Sequence, residues 1–160
     1  SIEGITITSV ETAEQMLAVL DLEFPHCDAL IMSAAVADAR VANYSDDKIG
    51  KENLNNLALV NNTDILKSLA GTKKQNQVVV GFAAETSADL KELESRAYSK
   101  LRSKSLDLIY VNNVSNGAVF GSDLTRGLII DKEKNVIEVP EIGKDTLSDI
   151  LLDQLVSKLS

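Results

Sequence analysis

Three apolar runs punctuate this chain, at residues 29–33, 78–83 and 106–111. Each is short and rich in Val, Ile, Leu or Ala. Such runs suit strands buried on both faces, as in a parallel sheet. Between them the apolar positions switch to helical spacing. Ala13, Met16, Leu17 and Leu20 predict a helix near 11–23, opened by the capping-box spacing of Thr12 and Gln15 and closed by Pro25. Leu90, Leu93, Ala97 and Leu101 place a charged helix over 87–104. A final amphipathic helix covers 147–159.

Shorter signals fill the gaps. Residues 4–8 (Gly-Ile-Thr-Ile-Thr) predict a strand of β-branched residues. Residues 34–56 form a long polar loop, and loops of that length in compact domains usually carry function or move. Residues 57–60 predict another strand, and Thr63-Asp64 caps a short helix through Leu69. Residues 73–77 form a polar link. Residues 128–131 and 136–139 flank a polar turn and predict a hairpin. Strands alternating with helices predict an α/β fold: a Rossmann-like, doubly wound, mostly parallel sheet with an added antiparallel hairpin. Residues 1–160 are expected to form one such domain.

Composition narrows the function classes. With 16 Lys and Arg against 24 Asp and Glu, the net charge is −8. That excludes a broad cationic surface for DNA or RNA, but not a local site for one nucleotide. Cys27 is the only cysteine, so no internal disulfide exists; it is expected to be a half-buried structural thiol. His26 is the only histidine, and no serine elbow accompanies it. No apolar stretch reaches membrane-spanning length and no signal peptide is visible, so a cytoplasmic location is expected. The chain starts with Ser rather than Met, as a fragment would.

Ligands of open α/β sheets bind at the carboxyl ends of the strands. Three polar segments start there: residues 33–40, residues 81–86, and residues 112–115 leading to 120–123. Ala34, Ala35, Ala83 and Ala84 let backbone approach a base or phosphate. Phe82 offers a ring, Lys48, Lys51, Lys100 and Lys104 offer charge, and Asp38 offers a carboxylate for ribose or metal. Each residue alone reads as packing, turn or solvated surface; only their convergence points to a site. Neither a P-loop nor a G-x-G-x-x-G turn is present.

The ordered series resembles one family, the bacterial phosphopantothenoylcysteine synthetases. The matching stretches are Ser-Ala-Ala-Val-Ala-Asp-Ala-Arg at 33–40, Asp-Lys-Ile-Gly-Lys at 47–51 and Asn-Thr-Asp-Ile-Leu at 62–66. Val-Gly-Phe-Ala-Ala-Glu-Thr at 80–86, Lys100 with Lys104, the stretch 106–115 and Phe-Gly-Ser-Asp at 120–123 complete the series. The resemblance implies a ligase that joins 4′-phosphopantothenate to cysteine in coenzyme A synthesis. CTP activates the carboxylate as an acyl-cytidylate, Mg²⁺ assists, and the cysteine amine then attacks. It implies nucleotide contacts at Ala34, Ala35, Asp38, Lys48, Thr63, Asp64, Ile65, Leu66, Phe82, Lys100 and Lys104, with Lys48 catalytic. It also implies a homodimer and a fused or separate flavin-dependent decarboxylase; the hairpin at 126–139 is expected to offer an edge for strand pairing between subunits.

Two departures from the family pattern are local: Gly50 replaces a lysine, and Thr63 stands where proline is usual. A third is larger. The family's first βαβ unit, which handles the acyl intermediate, has no counterpart in residues 1–160. The chain is therefore expected to carry mainly the CTP side of the site and to be inactive alone. The alternatives are a fragment of an NAD(P)-dependent oxidoreductase, which would need a glycine-rich turn, and a non-catalytic α/β interaction domain.

Overall fold

In the computed structural model, residues 3–45, 47, 50, 56–114 and 122–159 are described. Helix α1 (Ala13–Glu23) starts at the expected capping box: the Thr12 side chain accepts the Gln15 amide, and the Gln15 side chain reaches back to the Thr12 amide. A 3₁₀ turn with Pro25 at its start follows and leads to strand β1 (Ala29–Met32). Strands β2 (Ala39–Val41) and β3 (Leu59–Asn61) come next, then helix α2 (Ile65–Thr72) and strand β4 (Val78–Glu85). Helix α3 (Leu90–Lys104), strands β5 (Leu108–Asn113), β6 (Leu124–Asp131) and β7 (Val136–Gly143), and helix α4 (Lys144–Lys158) complete the order.

The main sheet runs β1-β4-β5-β6-β7. The first three strands are parallel, and β6 and β7 form the antiparallel hairpin. Helices α2 and α3 cover one face through Leu66, Leu69, Leu93, Ala97 and Leu101, against Val79, Ile109, Val111 and Ile130, and α1 adds the partly buried Met16, Leu17 and Leu20. Helix α4 covers the other through Leu147, Leu151 and Leu155, against Val78, Val80, Leu108, Tyr110 and Ile129. Alternate residues of β4 and β5 thus enter opposite layers, which is why their apolar runs are unbroken.

The crossovers are tight. A Cβ on Gly81 would lie 2.6 Å from Leu106 Cδ1 and 3.0 Å from Leu66 Cδ2, so the missing side chain lets α2 seat against β4. At the β6 bulge, a Cβ on Gly127 would lie 1.9 Å from the Val111 carbonyl oxygen. Backbone cannot yield there, so only glycine fits.

Several expectations need correction. Residues 4–8 are not a strand: no strand pairs with them among the described residues, and Ile5 and Ile7 are exposed. β1 is not buried on both faces, because it lies at the sheet edge and Ile31 is 44% exposed. The polar loop contains β2, which pairs antiparallel with β3 as a separate ribbon. β3 spans 59–61 rather than 57–60, and α3 starts at Leu90 because Asp89 caps it. Cys27 is exposed, its Sγ donating to the Glu23 carbonyl at 3.3 Å, because the turn at Pro25 carries it outside the core. Among the described residues, no helix is long and apolar enough to cross a membrane.

Candidate functional site

At the carboxyl end of β1, the chain leaves the sheet as an extended segment through residues 33–37. Asn62, just beyond β3, staples that segment. Its Nδ2 donates to the Ala37 carbonyl at 2.8 Å, its amide donates to the Asp38 carbonyl at 2.8 Å, and its Oδ1 accepts from Arg40 at 3.0 Å. Arg40 also pairs with Glu14 at 2.7 Å, which ties the start of α1 to the same wall.

A cavity of about 210 Å³ opens behind this wall. Residues 34–38 line one side, residues 62–66 a second, and Met32, Phe82 and Lys104 the rest. A more open concavity of about 760 Å³ lies across the wall, against the start of α1 and β2, and shares Ala34, Ala35 and Asn62. The small side chains of Ala34, Ala35 and Ala37 line both spaces, with Val36 between them. Phe82 is fixed from behind by Tyr110, edge to face at 5.8 Å between ring centroids. The Tyr110 hydroxyl meets Thr125 Oγ1 at 2.5 Å, so the ring that braces Phe82 is itself held.

Two of the nearby carboxylates, Asp64 and Glu85, are paired with cations. Asp64 caps α2 by accepting the Lys67 amide, and its second oxygen meets Lys104 Nζ at 2.9 Å. Partial burial opposes ionisation of Asp64, but the Lys67 amide and Lys104 outweigh it and hold its pKa below the usual carboxylate range. Glu85, at the end of β4, pairs with Lys100 and with Arg96.

The family model for the DNA/pantothenate metabolism flavoprotein C-terminal domain matches residues 1–159. The chain belongs to this family. A coenzyme A biosynthesis bifunctional protein CoaBC from Borreliella burgdorferi is 35% identical over 152 residues, covering 94% of this chain and 37% of that protein. Its counterpart from Bacillus subtilis is 37% identical over 152 residues, covering 94% of this chain and 35% of that protein. A crystal structure of the C-terminal domain of a CoaBC protein matches with a TM-score of 0.74 at 28% identity, over 96% of this chain and 65% of that one. The chain spans little more than a third of the length of the two curated relatives.

In this DNA/pantothenate metabolism flavoprotein C-terminal domain, nine of the expected nucleotide contacts gather around one cavity: Ala34, Ala35, Asp38, Thr63, Asp64, Ile65, Leu66, Phe82 and Lys104. Lys100 stands one turn before Lys104 on α3 but outside the cavity lining, held by Glu85. Lys48 and Lys51 lie outside the described residues, as do Ser115, Phe120 and Gly121. Sequence reasoning missed Asn62 and Glu85 as site residues. Asn62 acts through hydrogen bonds to backbone 25 residues away in the chain, which no local pattern encodes. Glu85 could have been found as the last outward position of the strongest strand, facing Lys100.

Proposed function

We propose that the protein containing this chain is a phosphopantothenate–cysteine ligase of coenzyme A biosynthesis, and that residues 1–160 are the C-terminal portion of its ligase domain. One observation carries the reading: residues scattered from 34 to 104 meet at a single cavity, and they are those the family resemblance implies for CTP. The names of the relatives support the same pathway.

In this reading the cytosine lies against Ala34 and Ala35, where exposed backbone and small side chains leave room to read the base edge. Phe82 walls the cavity beside the nucleotide. Lys104 turns from Asp64 toward phosphate oxygens, with Lys100 beyond it. The substrate carboxylate attacks the α-phosphorus of CTP, pyrophosphate leaves, and the cysteine amine displaces CMP from the acyl-cytidylate. Lys48 stabilises the charge that grows on the α-phosphate. Mg²⁺ would neutralise the triphosphate. Asp38 is the cavity carboxylate that could contribute to holding it.

A homodimer and a fused or separate flavin-dependent decarboxylase belong to the same proposal. Among the described residues, two surfaces are open for dimerisation: the outer edge of β7, and the β2–β3 ribbon with exposed Val41 and Leu59 and, flanking it, Tyr44 and Leu57. Light scattering of the whole protein with Leu59→Asp tests the ribbon, and a proline at Glu138, whose N–H faces away from β6, tests the edge.

The deciding assay follows pyrophosphate release by the whole protein given 4′-phosphopantothenate and cysteine. The expected result is turnover with CTP that greatly exceeds turnover with ATP, and that Lys48→Gln abolishes. Turnover without nucleotide, or acyl-cytidylate formation retained in Lys48→Gln, would overturn the mechanism.

A further inference from the structure

Glu85 has two cations and no role in the reading above. It is the last residue of β4 and lies on the face that α3 covers. Its Oε1 meets Lys100 and its Oε2 meets Arg96 at 3.5 Å. Arg96 is shared in turn with Glu92 at 2.6 Å, and Glu92 accepts the Ser87 hydroxyl at 2.8 Å. The two partners in the Lys100 pair differ in freedom. The Glu85 side chain is 13% exposed, and its carbonyl is pinned by the Val114 amide at 2.9 Å. The Lys100 side chain is 45% exposed and has a long, flexible stem. Glu85 is thus a fixed anion, and the Lys100 ammonium is the part that can move.

Where it can move is set by the helix. Lys100 and Lys104 are four residues apart, one turn, on the same face of α3. Lys104 already reaches the cavity wall at Asp64. The strip from Arg96 through Lys100 to Lys104 is therefore compensated at rest by Glu92, Glu85 and Asp64. A partly exposed ion pair contributes little net stability, so exchanging one anion for another costs little in either direction.

We propose that Glu85 is a positioning residue that holds Lys100 in reserve: its carboxylate keeps the ammonium while no polyphosphate is present, and competes for it when one binds. This rests on the nucleotide reading and adds to it. The more highly charged phosphate wins the exchange, and Glu85 recaptures Lys100 as pyrophosphate departs. Nucleotide affinity is tempered and release is eased. Lys100 then makes its phosphate contact only while the nucleotide is bound.

The sign of the test separates this role from a structural one. Loss of a structural support weakens binding, whereas loss of a competitor tightens it. In the whole protein, Glu85→Gln keeps the side-chain shape and removes the charge. Calorimetric titration with CTP and Mg²⁺ should show affinity about three- to fivefold tighter in Glu85→Gln than in the wild type, the scale of one partly exposed ion pair. In a Lys100→Gln background the same substitution should change affinity less than about twofold, because the competition acts through Lys100. Unchanged or weaker binding in Glu85→Gln overturns the inference while leaving the nucleotide reading intact. Equal tightening with and without Lys100 overturns it too, since that is simple repulsion between Glu85 and phosphate. Absence of CTP binding in the wild type overturns the nucleotide reading itself, and the inference with it.

Discussion

Lys104 Nζ lies 2.9 Å from one oxygen of Asp64, while the other oxygen accepts the Lys67 amide at 3.0 Å. One carboxylate thus starts a helix and holds a lysine against a cavity. The two duties separate by substitution. Asp64→Asn keeps a good cap and should leave the melting temperature nearly unchanged, while Asp64→Ala loses the cap and should cost about 1 kcal/mol. Thermal denaturation of both variants checks this. Equal losses would mean that the ion pair, not the cap, is what stabilises α2.

On the proposed nucleotide reading, Lys104 and Phe82 contribute separably to binding. Lys104→Gln should weaken CTP binding about tenfold and flatten its salt dependence, because a charge-assisted contact to phosphate is lost. Phe82→Leu should weaken CTP binding without altering that salt dependence. Titrations at two ionic strengths distinguish them; an identical salt response in the two variants would count against the assignment of Lys104 to phosphate.

Gly127 is expected to be intolerant of even one methyl. A Cβ there would sit 1.9 Å from the Val111 carbonyl oxygen, so Gly127→Ala must separate β5 from β6. A loss of about 3 kcal/mol or more is expected in urea unfolding, in the range of severe core strain. A loss below about 1 kcal/mol would show that the β6 bulge can shift.

The C-terminal helix is fastened by charge. Lys158 meets Asp131 at 2.6 Å and Glu133 at 3.0 Å, and Asn135 donates twice to Asp131. Burial raises the Asp131 pKa, but Lys158 and Asn135 dominate and bring it down to about 2 from an ordinary value of 3.8. A depressed carboxylate stabilises the fold above its unfolded pKa and loses that contribution as pH falls through the folded one. Asp131→Asn should therefore cost about 2 kcal/mol at pH 7. The gap to wild type should close between about pH 4 and pH 2. Denaturation curves across that range check the sign; a gap independent of pH would contradict it.

Much of this was legible in the chain. The capping box at Thr12 and Gln15, the buried runs of β4 and β5, the α3 stripe and the β6–β7 hairpin all follow from side-chain periodicity, which the backbone repeats of helix and strand impose locally. The family motifs likewise named residues that meet at the cavity. Tertiary structure decided the rest. Residues 4–8 have strand-like sequence but no pairing partner among the described residues, and a strand is made by its neighbour as much as by its own residues. Ile31 carries the same apolar signal as Val80 yet is exposed, because one strand lies at the sheet edge and the other at its centre. The pairings of Asn62 with the 34–38 wall, of Asp64 with Lys104 and of Glu85 with Lys100 join distant segments. Sequence periodicity fixes which way a side chain faces, but which charge waits opposite it depends on how the layers pack.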